Sequence, residues 1–255
     1  MAKTNAEETT ALATQSSAAL ATFDAGDLMS DMLSDLTPQD IALPYLSIAS
    51  AQSDIVTPGK DKYNKDVRPG FVYNTVTNKG WEEILIIPCK PKKRMQEWTP
   101  ETKGTPVGEH EMDSDIVRNA AVVVEEKNGK QVRKIVTPTG NVLQETITYP
   151  VVYITPYGKV SQALLPFSKT RLSVAKALAF MIMEAGSTVM TYKLGTTIKT
   201  KDGNSWYVHK IEASEPLSPD KYPAACDMWK KLAELSKANL VKAMDIESDL
   251  ADDVC

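Results

Sequence analysis

The sequence is poor in cysteine and histidine, which restricts the chemistry that it can perform. Its three cysteines, Cys89, Cys226 and Cys255, lie far apart in a chain of 255 residues. An odd number of widely spaced cysteines argues against a disulfide framework and against a zinc site, and is typical of a reducing cytoplasm. With only His110 and His209 available, histidine-based catalysis has few candidates.

Several other features are missing. No apolar run approaches the ~20 residues that a membrane-spanning helix needs, and the first residues combine a single lysine with glutamates, unlike a secretory signal. The sequence lacks the glycine-rich phosphate-binding loop of nucleotide hydrolases and the serine context of a nucleophile elbow. We therefore expect a protein that is neither membrane-bound nor an enzyme, with no cofactor and no metal.

The chain is acidic overall, with a formal net charge of −4, but its charges are segregated. Residues 1–40 carry seven acidic residues and one lysine, and residues 245–255 carry five acidic residues and no cation. The remaining 28 of the 29 cations and 21 of the 33 acids lie in residues 41–244, which gives this body a net charge of +7. A basic body between acidic ends indicates a polyanionic partner, since net charge governs association more than fold.

Residues 1–40 are expected to form a flexible acidic segment with one short amphipathic helix. The first 26 residues are rich in Ala, Thr and Ser and lack a stable hydrophobic period. In the stretch DLMSDMLSDLTP, Asp27 can cap the start of a helix and Pro38 can stop it. The apolar face of this helix either packs on the protein's own body or binds a partner.

From residue 41 the sequence changes to short β-branched or aromatic runs separated by Pro and Gly, a pattern of strands. The pair Asn128-Gly129, between VVVEEK and KQVRKIV, predicts a two-residue hairpin turn. Several strands, one helix and two more strands are the order of an OB-type barrel, although an SH3-like or other α+β barrel fits the same order. We therefore expect a mainly β (α+β) fold in residues 41–223, an OB-like barrel with added hairpins.

Two helices are predicted after the first strands. The internal helix covers roughly residues 170–185, and its predicted buried stripe consists of Leu172, Ala175, Leu178, Ala179, Ile182 and Met183. A C-terminal amphipathic helix is predicted over residues 224–244, ahead of the acidic tail at residues 245–255.

The densest functional signal is the basic cluster KPKKRMQEWTP at residues 90–100. Pro88 and Pro91 place it at the end of a strand, and cations and aromatic residues are also interleaved elsewhere in the body. Single-stranded nucleic acid binding needs this combination, because cations follow the phosphates while aromatic rings stack on the bases at roughly 1–3 kcal/mol each. The candidate nucleic-acid-binding residues are Lys90, Lys92, Lys93, Arg94, Trp98, Phe71, Tyr73, Trp81, Arg68, Tyr157, Lys159, Lys169 and Arg171.

A metal-dependent nuclease is an alternative interpretation. Glu125 and Lys127 end an apolar strand, with Asp113 and Asp115 upstream, and in many nucleases two acids hold Mg²⁺ while a lysine activates water. The tight turn that follows favours instead an exposed hairpin tip, whose charges keep a sheet edge soluble. The acidic run GEHEMDSD is interpreted in the same way, as a solvated loop.

The acidic tail has two predicted roles. A flexible anionic C-terminus can occupy the basic groove when DNA is absent, and once displaced it can recruit other proteins. Asp249, Asp252 and Asp253 are the candidate partner-binding residues. Both effects are electrostatic, so both should weaken with salt.

Three stretches of the body and the acidic tail together carry a resemblance to a known family. The stretches are LPYLSIASAQSDIV, RPGFVYNTVTNKGWEEILIIPCKPKKRMQEW and LLPFSKTRLSVAKALAFMI, within residues 41–210. With them the chain resembles bacteriophage single-stranded DNA-binding proteins. One departure is that many such tails end in an aromatic residue, whereas this one ends DDVC.

The resemblance implies that the protein coats single-stranded DNA in phage DNA replication or recombination, in the host cytoplasm. Replication or recombination proteins would then be the partners of the tail. A virion or scaffold protein is a third interpretation, in which the N-terminal helix serves assembly. The sequence leaves the oligomeric state and the choice between DNA and RNA open.

Overall fold

The computed structural model describes residues 42–101, 105–127, 129–201 and 203–243. The predicted N-terminal helix and the acidic tail lie outside these residues. The described strands are β1 (Ala42–Leu43), β2 (Leu46–Ile48), β3 (Val72–Asn74), β4 (Gly80–Trp81), β5 (Ile84–Pro88), β6 (Lys92–Trp98), β7 (Pro106–Glu111), β8 (Ala121–Lys127), β9 (Lys130–Val136), β10 (Val142–Ile154), β11 (Val160–Ser168), β12 (Met190–Lys201), β13 (Asn204–Pro216) and β14 (Lys242–Ala243). The described α-helices are α1 (Asp115–Arg118), α2 (Leu172–Glu184) and α3 (Pro223–Lys237), and short 3-10 helices cover Asp54–Val56 and Lys169–Arg171.

Strand β10 organises the main sheet, in which all described pairings are antiparallel. One edge of β10 pairs first with β6, from Val142 to Thr148, and then with β5, from Val151 to Ile154. The other edge pairs with β9 at its start and with β11 from Thr146 onwards. Pro150 lies where the neighbour changes from β6 to β5, a position at which the missing N–H of proline is tolerated.

The mainly β fold, the internal helix and the C-terminal helix are confirmed, and so is the β8–β9 hairpin, whose turn contains Gly129 at a φ of 71°. The described strands do not close into the barrel that was expected. Strands β12 and β13 extend the sheet beside the C-terminal half of β10, whereas β7 extends it beside the N-terminal half. No described pairing joins β13 to β7, the two outer strands of this path, so the sheet stays open.

Helix α2 covers one face of the C-terminal half of β10. It buries Ala175 and Leu178 in the main core, and the Tyr149 hydroxyl donates a hydrogen bond to the Ala175 carbonyl at 3.2 Å. The predicted stripe is wrong at Ala179 and Met183, which are both exposed. These two positions lie at the margin of the helical face centred on Ala175 and Leu178, so the contact with the sheet is narrower than the apolar pattern.

Helix α3 covers the opposite face and ends earlier than residue 244. Asn239 adopts a φ of 58°, and the Leu240 amide donates to the Leu235 carbonyl at 3.0 Å. This is the hydrogen bond of a Schellman motif, which terminates a helix. The chain then continues to β14, which pairs in parallel with β1.

The small sheet of β2, β3 and β4 packs on the same face as α2, through Leu46 and Val72. It is held against β13 at Gly70, where φ is 91° and an added Cβ would lie 2.6 Å from the Tyr207 ring. The Thr196 hydroxyl of β12 also donates a hydrogen bond to the Gly70 carbonyl. These contacts fix the loop before β3 beside the main sheet and create one wall of a cleft.

Candidate nucleic-acid interface

The predicted basic cluster lies on strand β6 and not at a strand end. Because side chains alternate along a strand, Lys93 points to one face of the sheet, whereas Lys92, Arg94 and Trp98 point to the other. Lys90 precedes the strand and is exposed. The structure therefore divides the four cations and Trp98 between two faces.

Three of these cations already have partners. Arg94 forms an ion pair with Glu111 at 2.6 Å, and Lys93 forms one with Glu145 at 3.1 Å. The Lys92 ammonium donates to the carbonyls of Asn239, at 3.2 Å, and Val241, at 3.0 Å. Burial, with a smaller effect of the Arg94 charge, lowers the pKa of Lys92. Two of the four cations of this cluster are therefore paired with carboxylates within the protein.

Trp98 is half-buried beside Val142 of β10. Its indole Nε1 is buried and has no hydrogen-bond partner in the part of the chain that the structure describes. A ring held in this way offers less surface for stacking than an exposed ring.

Other predicted aromatic residues meet at a cleft of about 1220 Å³ between the small sheet and the end of β10. Phe71 and Trp81 line it and are half-buried, and the Trp81 ring lies 5.7 Å from the ring of Tyr153. Tyr157 lies in the turn between β10 and β11 and is 90% exposed. Phe71, Trp81 and Tyr157 therefore line one partly open cleft, which we call the aromatic cleft.

The lining of the aromatic cleft carries both signs of charge. Its lysines are Lys79, Lys193 and Lys210, and its carboxylates are Asp66, Glu82, Glu83 and Glu212. The Lys210 ammonium lies 2.9 Å from Glu212, and the Lys193 ammonium lies 3.8 Å from Glu83. Hydrogen bonding to Lys210 lowers the pKa of Glu212, so its carboxylate is charged at neutral pH. The floor of the cleft is thus suited to hydrogen-bond donors and cations as well as to phosphate.

The remaining predicted residues lie in different places. Tyr73 is buried in the core and its ring is not accessible to a base. Arg68 is exposed in the loop before β3, and Lys159 is exposed two residues after Tyr157. Lys169 and Arg171 belong to the 3-10 helix that precedes α2.

Trp98 and the aromatic cleft lie at opposite ends of β10, whereas Lys92, Lys93 and Arg94 pair with Thr148, Ile147 and Thr146 near its middle. Trp98 pairs with Val142 at the first residue of the strand, whereas Tyr157 follows Ile154 at its last. Twelve steps at a rise of ~3.4 Å separate the two ends by about 40 Å. One compact site therefore cannot contain all thirteen predicted residues.

Several residues that line the cleft were not predicted from the sequence. Lys193 is exposed between the buried side chains of Tyr192 and Leu194, and Lys210 is exposed directly after the buried His209. This alternation is visible in the sequence and indicates which side of each strand faces solvent. It does not indicate that β12 and β13 lie beside the turn that carries Tyr157.

The nuclease alternative depends on Glu125, whose carboxylate forms an ion pair with Lys134 at 2.5 Å. Within the described ranges, no three His, Cys, Asp or Glu side chains converge in a way that could hold a metal ion. Asp249, Asp252 and Asp253 lie outside the described residues.

A comparison of sequences identifies the family. The sequence profile of the Pam3 phage gp34-like proteins matches residues 14–238, so the chain belongs to this phage protein family. No curated protein and no solved structure matches the chain. Among the described residues, no helix has the length and apolar character required to cross a bilayer. The resemblance to phage proteins is confirmed at this level, and the binding of single-stranded DNA stays a prediction.

Proposed function

We propose that this Pam3 phage gp34-like protein binds single-stranded DNA without sequence specificity, with bases stacked at the aromatic cleft. The observation that carries the proposal is that the exposed Tyr157 lines the same cleft as Phe71 and Trp81. An aromatic ring with 90% of its surface in water adds little to the core, but it presents a stacking face to any base. Non-enzymatic coating of DNA during phage replication or recombination in the host cytoplasm is the role that follows.

The size of the cleft supports a polymeric ligand. At about 1220 Å³ it is larger and more open than a typical small-molecule pocket, which measures roughly 300–1,000 Å³. A strand that enters it can place several bases against its rings, each contributing roughly 1–3 kcal/mol irrespective of base identity.

The charges of the cleft suggest how the strand is oriented. Lys159 and Arg68 are exposed and follow the lining residues Gly158 and Asp66 closely in sequence, whereas Glu82, Glu83 and Glu212 line the cleft. Phosphates at the outer cations and bases towards the carboxylates would keep like charges apart. The exocyclic amino groups of adenine, cytosine and guanine, or the ring N3–H of thymine, can then donate hydrogen bonds to the carboxylates.

The acidic tail forms the second part of the proposal. Asp249, Asp252 and Asp253 belong to a tail that competes with DNA for the basic surface and recruits replication or recombination proteins. The contacts of Lys92 with the Asn239 and Val241 carbonyls support this idea. They hold the chain against the basic strand β6 shortly before the tail begins.

A fluorescence titration tests DNA binding. Oligo-dT added to the full chain should quench tryptophan emission, since Trp81 lines the cleft, and the quenching should weaken as salt is raised. Tyr157→Ala should weaken binding by about 1–3 kcal/mol. Phe180→Ala, which removes an exposed ring from α2, serves as the matched control and should bind as the wild type does.

The result that would overturn the proposal is an absence of quenching at low salt in a folded protein. Mg²⁺-dependent cleavage of the oligonucleotide, abolished by Glu125→Ala, would identify a nuclease instead.

Deletion of residues 245–255 tests the role of the tail. The truncated protein should bind oligo-dT more tightly than the full chain, with the largest difference at low salt. Equal or weaker binding by the truncated protein would reject the competition.

A further inference from the structure

The hairpin of β12 and β13 extends beyond the strands that flank it. Strand β12 pairs with β5 only from Tyr192 to Leu194, whereas its pairing with β13 continues to Lys201. Past Leu194, no other described strand pairs with either strand of the hairpin. This outer part of the hairpin, which we call the ribbon, consists of residues 195–201 and 204–210.

One face of the ribbon is used by the protein itself. Thr196 and Tyr207 belong to this face, and both contact Gly70 in the loop before β3. The residues that alternate with Thr196 and Tyr207 along the two strands point to the opposite face, because side chains alternate along a strand.

The opposite face of the ribbon carries lysines and a tryptophan. Lys199 and Lys201 of β12 point to this face, and Trp206 of β13 pairs with Lys199 across the ladder. Both lysines are exposed, and Trp206 is half-buried. A cation beside an aromatic ring is the combination that binds a phosphate and a base of single-stranded nucleic acid.

The same face continues into the aromatic cleft. Lys193 lies an even number of positions before Lys199, and Lys210 pairs with Gly195, so these three lining residues of the cleft point to this face as well. At a rise of ~3.4 Å per residue, Lys193 and Lys201 are about 27 Å apart along β12. A strand of DNA that leaves the cleft can therefore continue along the ribbon.

Charge complementarity favours a polyanion on the ribbon. Lys193 and Lys210, at the cleft, already have carboxylate partners. By contrast, Lys199 and Lys201 form no ion pair with any residue that the structure describes. The sequence between Lys193 and Lys210 contains one acidic residue, Asp202. The ribbon thus differs from the β6 cluster, in which two of the four cations are paired with carboxylates.

We propose that the ribbon binds a second segment of the DNA strand that occupies the aromatic cleft. Lys199 and Lys201 contact its phosphates, and Trp206 provides a further ring for base stacking. This inference rests on the proposed binding of single-stranded DNA and extends its site beyond the cleft. None of these three residues was among those predicted from the sequence to bind nucleic acid.

Titrations with oligo-dT of two lengths, about 4 and about 16 nucleotides, test the ribbon, since these lengths cover the usual site sizes of a single-strand-binding domain. Lys199→Ala/Lys201→Ala should lower the log–log salt slope for the long oligonucleotide by about 1.4, at about 0.7 for each phosphate contact. The short oligonucleotide, bound at the cleft, should keep its slope. The control Lys176→Ala/Lys237→Ala removes two exposed lysines of α2 and α3 and should change neither slope.

Trp206→Phe provides a second measurement that does not depend on charge. It should remove the part of the tryptophan quenching that only the long oligonucleotide produces, with circular dichroism confirming the fold of each variant. If the wild type binds the long oligonucleotide but the double lysine variant keeps its slope, the ribbon is excluded and the cleft proposal stands. An equal loss of slope in the control variant would also exclude the ribbon. A folded wild type that binds neither oligonucleotide would overturn both proposals.

Discussion

Strand β10 connects two regions that use the same strand pattern but differ in what covers it. Its C-terminal half lies between α2 and the small sheet on one face and α3 on the other, and Val151, Val152 and Ile154 are buried there. Its N-terminal half joins β6, β7, β8 and β9, a region we call the arm. In the arm Val107, Val122 and Val124 are more than half exposed.

The comparison shows that an apolar strand is buried only when another layer covers it. No described helix packs on the valines of β8, so alternation alone does not make them core. The candidate site follows this division. The aromatic cleft lies at the covered end of β10, whereas the exposed valines lie in the arm.

The largest expected difference comes from the same truncation made in both regions. Val152→Ala should lower the free energy of unfolding by about 2–3 kcal/mol, because it removes buried methyl groups and leaves a cavity. Val124→Ala should change it by less than ~0.5 kcal/mol, since that side chain is exposed. Urea denaturation of both variants measures the difference. Equal effects would show that the arm valines are covered in solution.

The pH dependence of the free energy of unfolding should also distinguish the two regions. His209 is fully buried against the Phe167 ring, neither of its nitrogens has a hydrogen-bond partner among the described residues, and burial together with the Arg171 charge lowers its pKa to about 3. In the unfolded state the His209 imidazole binds a proton near pH 6.5, whereas in the folded state it stays neutral at that pH. Stability is therefore complete above pH 6.5 and falls by about 1.4 kcal/mol per unit as the pH drops towards 3.

His209→Leu should remove this slope, measured by urea denaturation between pH 4 and 7. An unchanged slope in the variant would assign the acid sensitivity to another group.

The stability of the arm should fall only at a lower pH. The Glu97 carboxylate accepts hydrogen bonds from Asn141, at 2.8 Å, and from the His110 ring, at 2.6 Å, and these contacts lower its pKa. The stability that Glu97 contributes is therefore present above its ordinary pKa and is lost as the pH falls through the lowered value. Glu97→Gln should cost on the order of 1 kcal/mol at neutral pH.

Hydrogen exchange of the peptides of β6 and β7 measures this loss locally. Glu109→Gln, a change at an exposed neighbour on β7, is the control and should leave the exchange unchanged. If both variants exchange alike, Glu97 does not hold the arm together.

The smallest expected effect concerns the cations of the two regions. Lys159→Ala should reduce the salt dependence of oligo-dT binding by about 0.7 in the log–log slope, the value for one phosphate contact with a single strand. Lys93→Ala should change the slope less, because Glu145 already compensates that charge. A larger change in the slope for Lys93→Ala than for Lys159→Ala would indicate that the DNA strand follows the arm and not the cleft.

The strands and α2 could be predicted because alternation and Gly/Pro spacing report local geometry. Strand β6 could not be predicted in this way. The four cations of the cluster and Pro91 obscure the alternation that buries Met95 and Glu97, the two buried residues of the strand. The partners of these cations could not be predicted either. Glu111 and Glu145 are identified only by the strand pairing, and the backbone carbonyls that accept from Lys92 leave no signal in a charge pattern.

The candidate site was predictable only in part. Phe71, Trp81 and Tyr157 were identified as aromatic residues in a basic body, and they do line one cleft. Their separation from Trp98 depends on the length of β10, which begins at Val142, before the stretch TYPVVYITP that indicated a strand. Residue type therefore indicated the chemistry, and tertiary pairing decided which residues can act together.

The anchoring of the chain by Lys92 has a consequence for how binding depends on concentration. If residues 245–255 compete with DNA as proposed, they do so within the same chain, at an effective concentration that depends on the length of that segment and not on the protein concentration. Dilution of the protein would then leave this competition unchanged, whereas binding of any ligand from solution follows mass action.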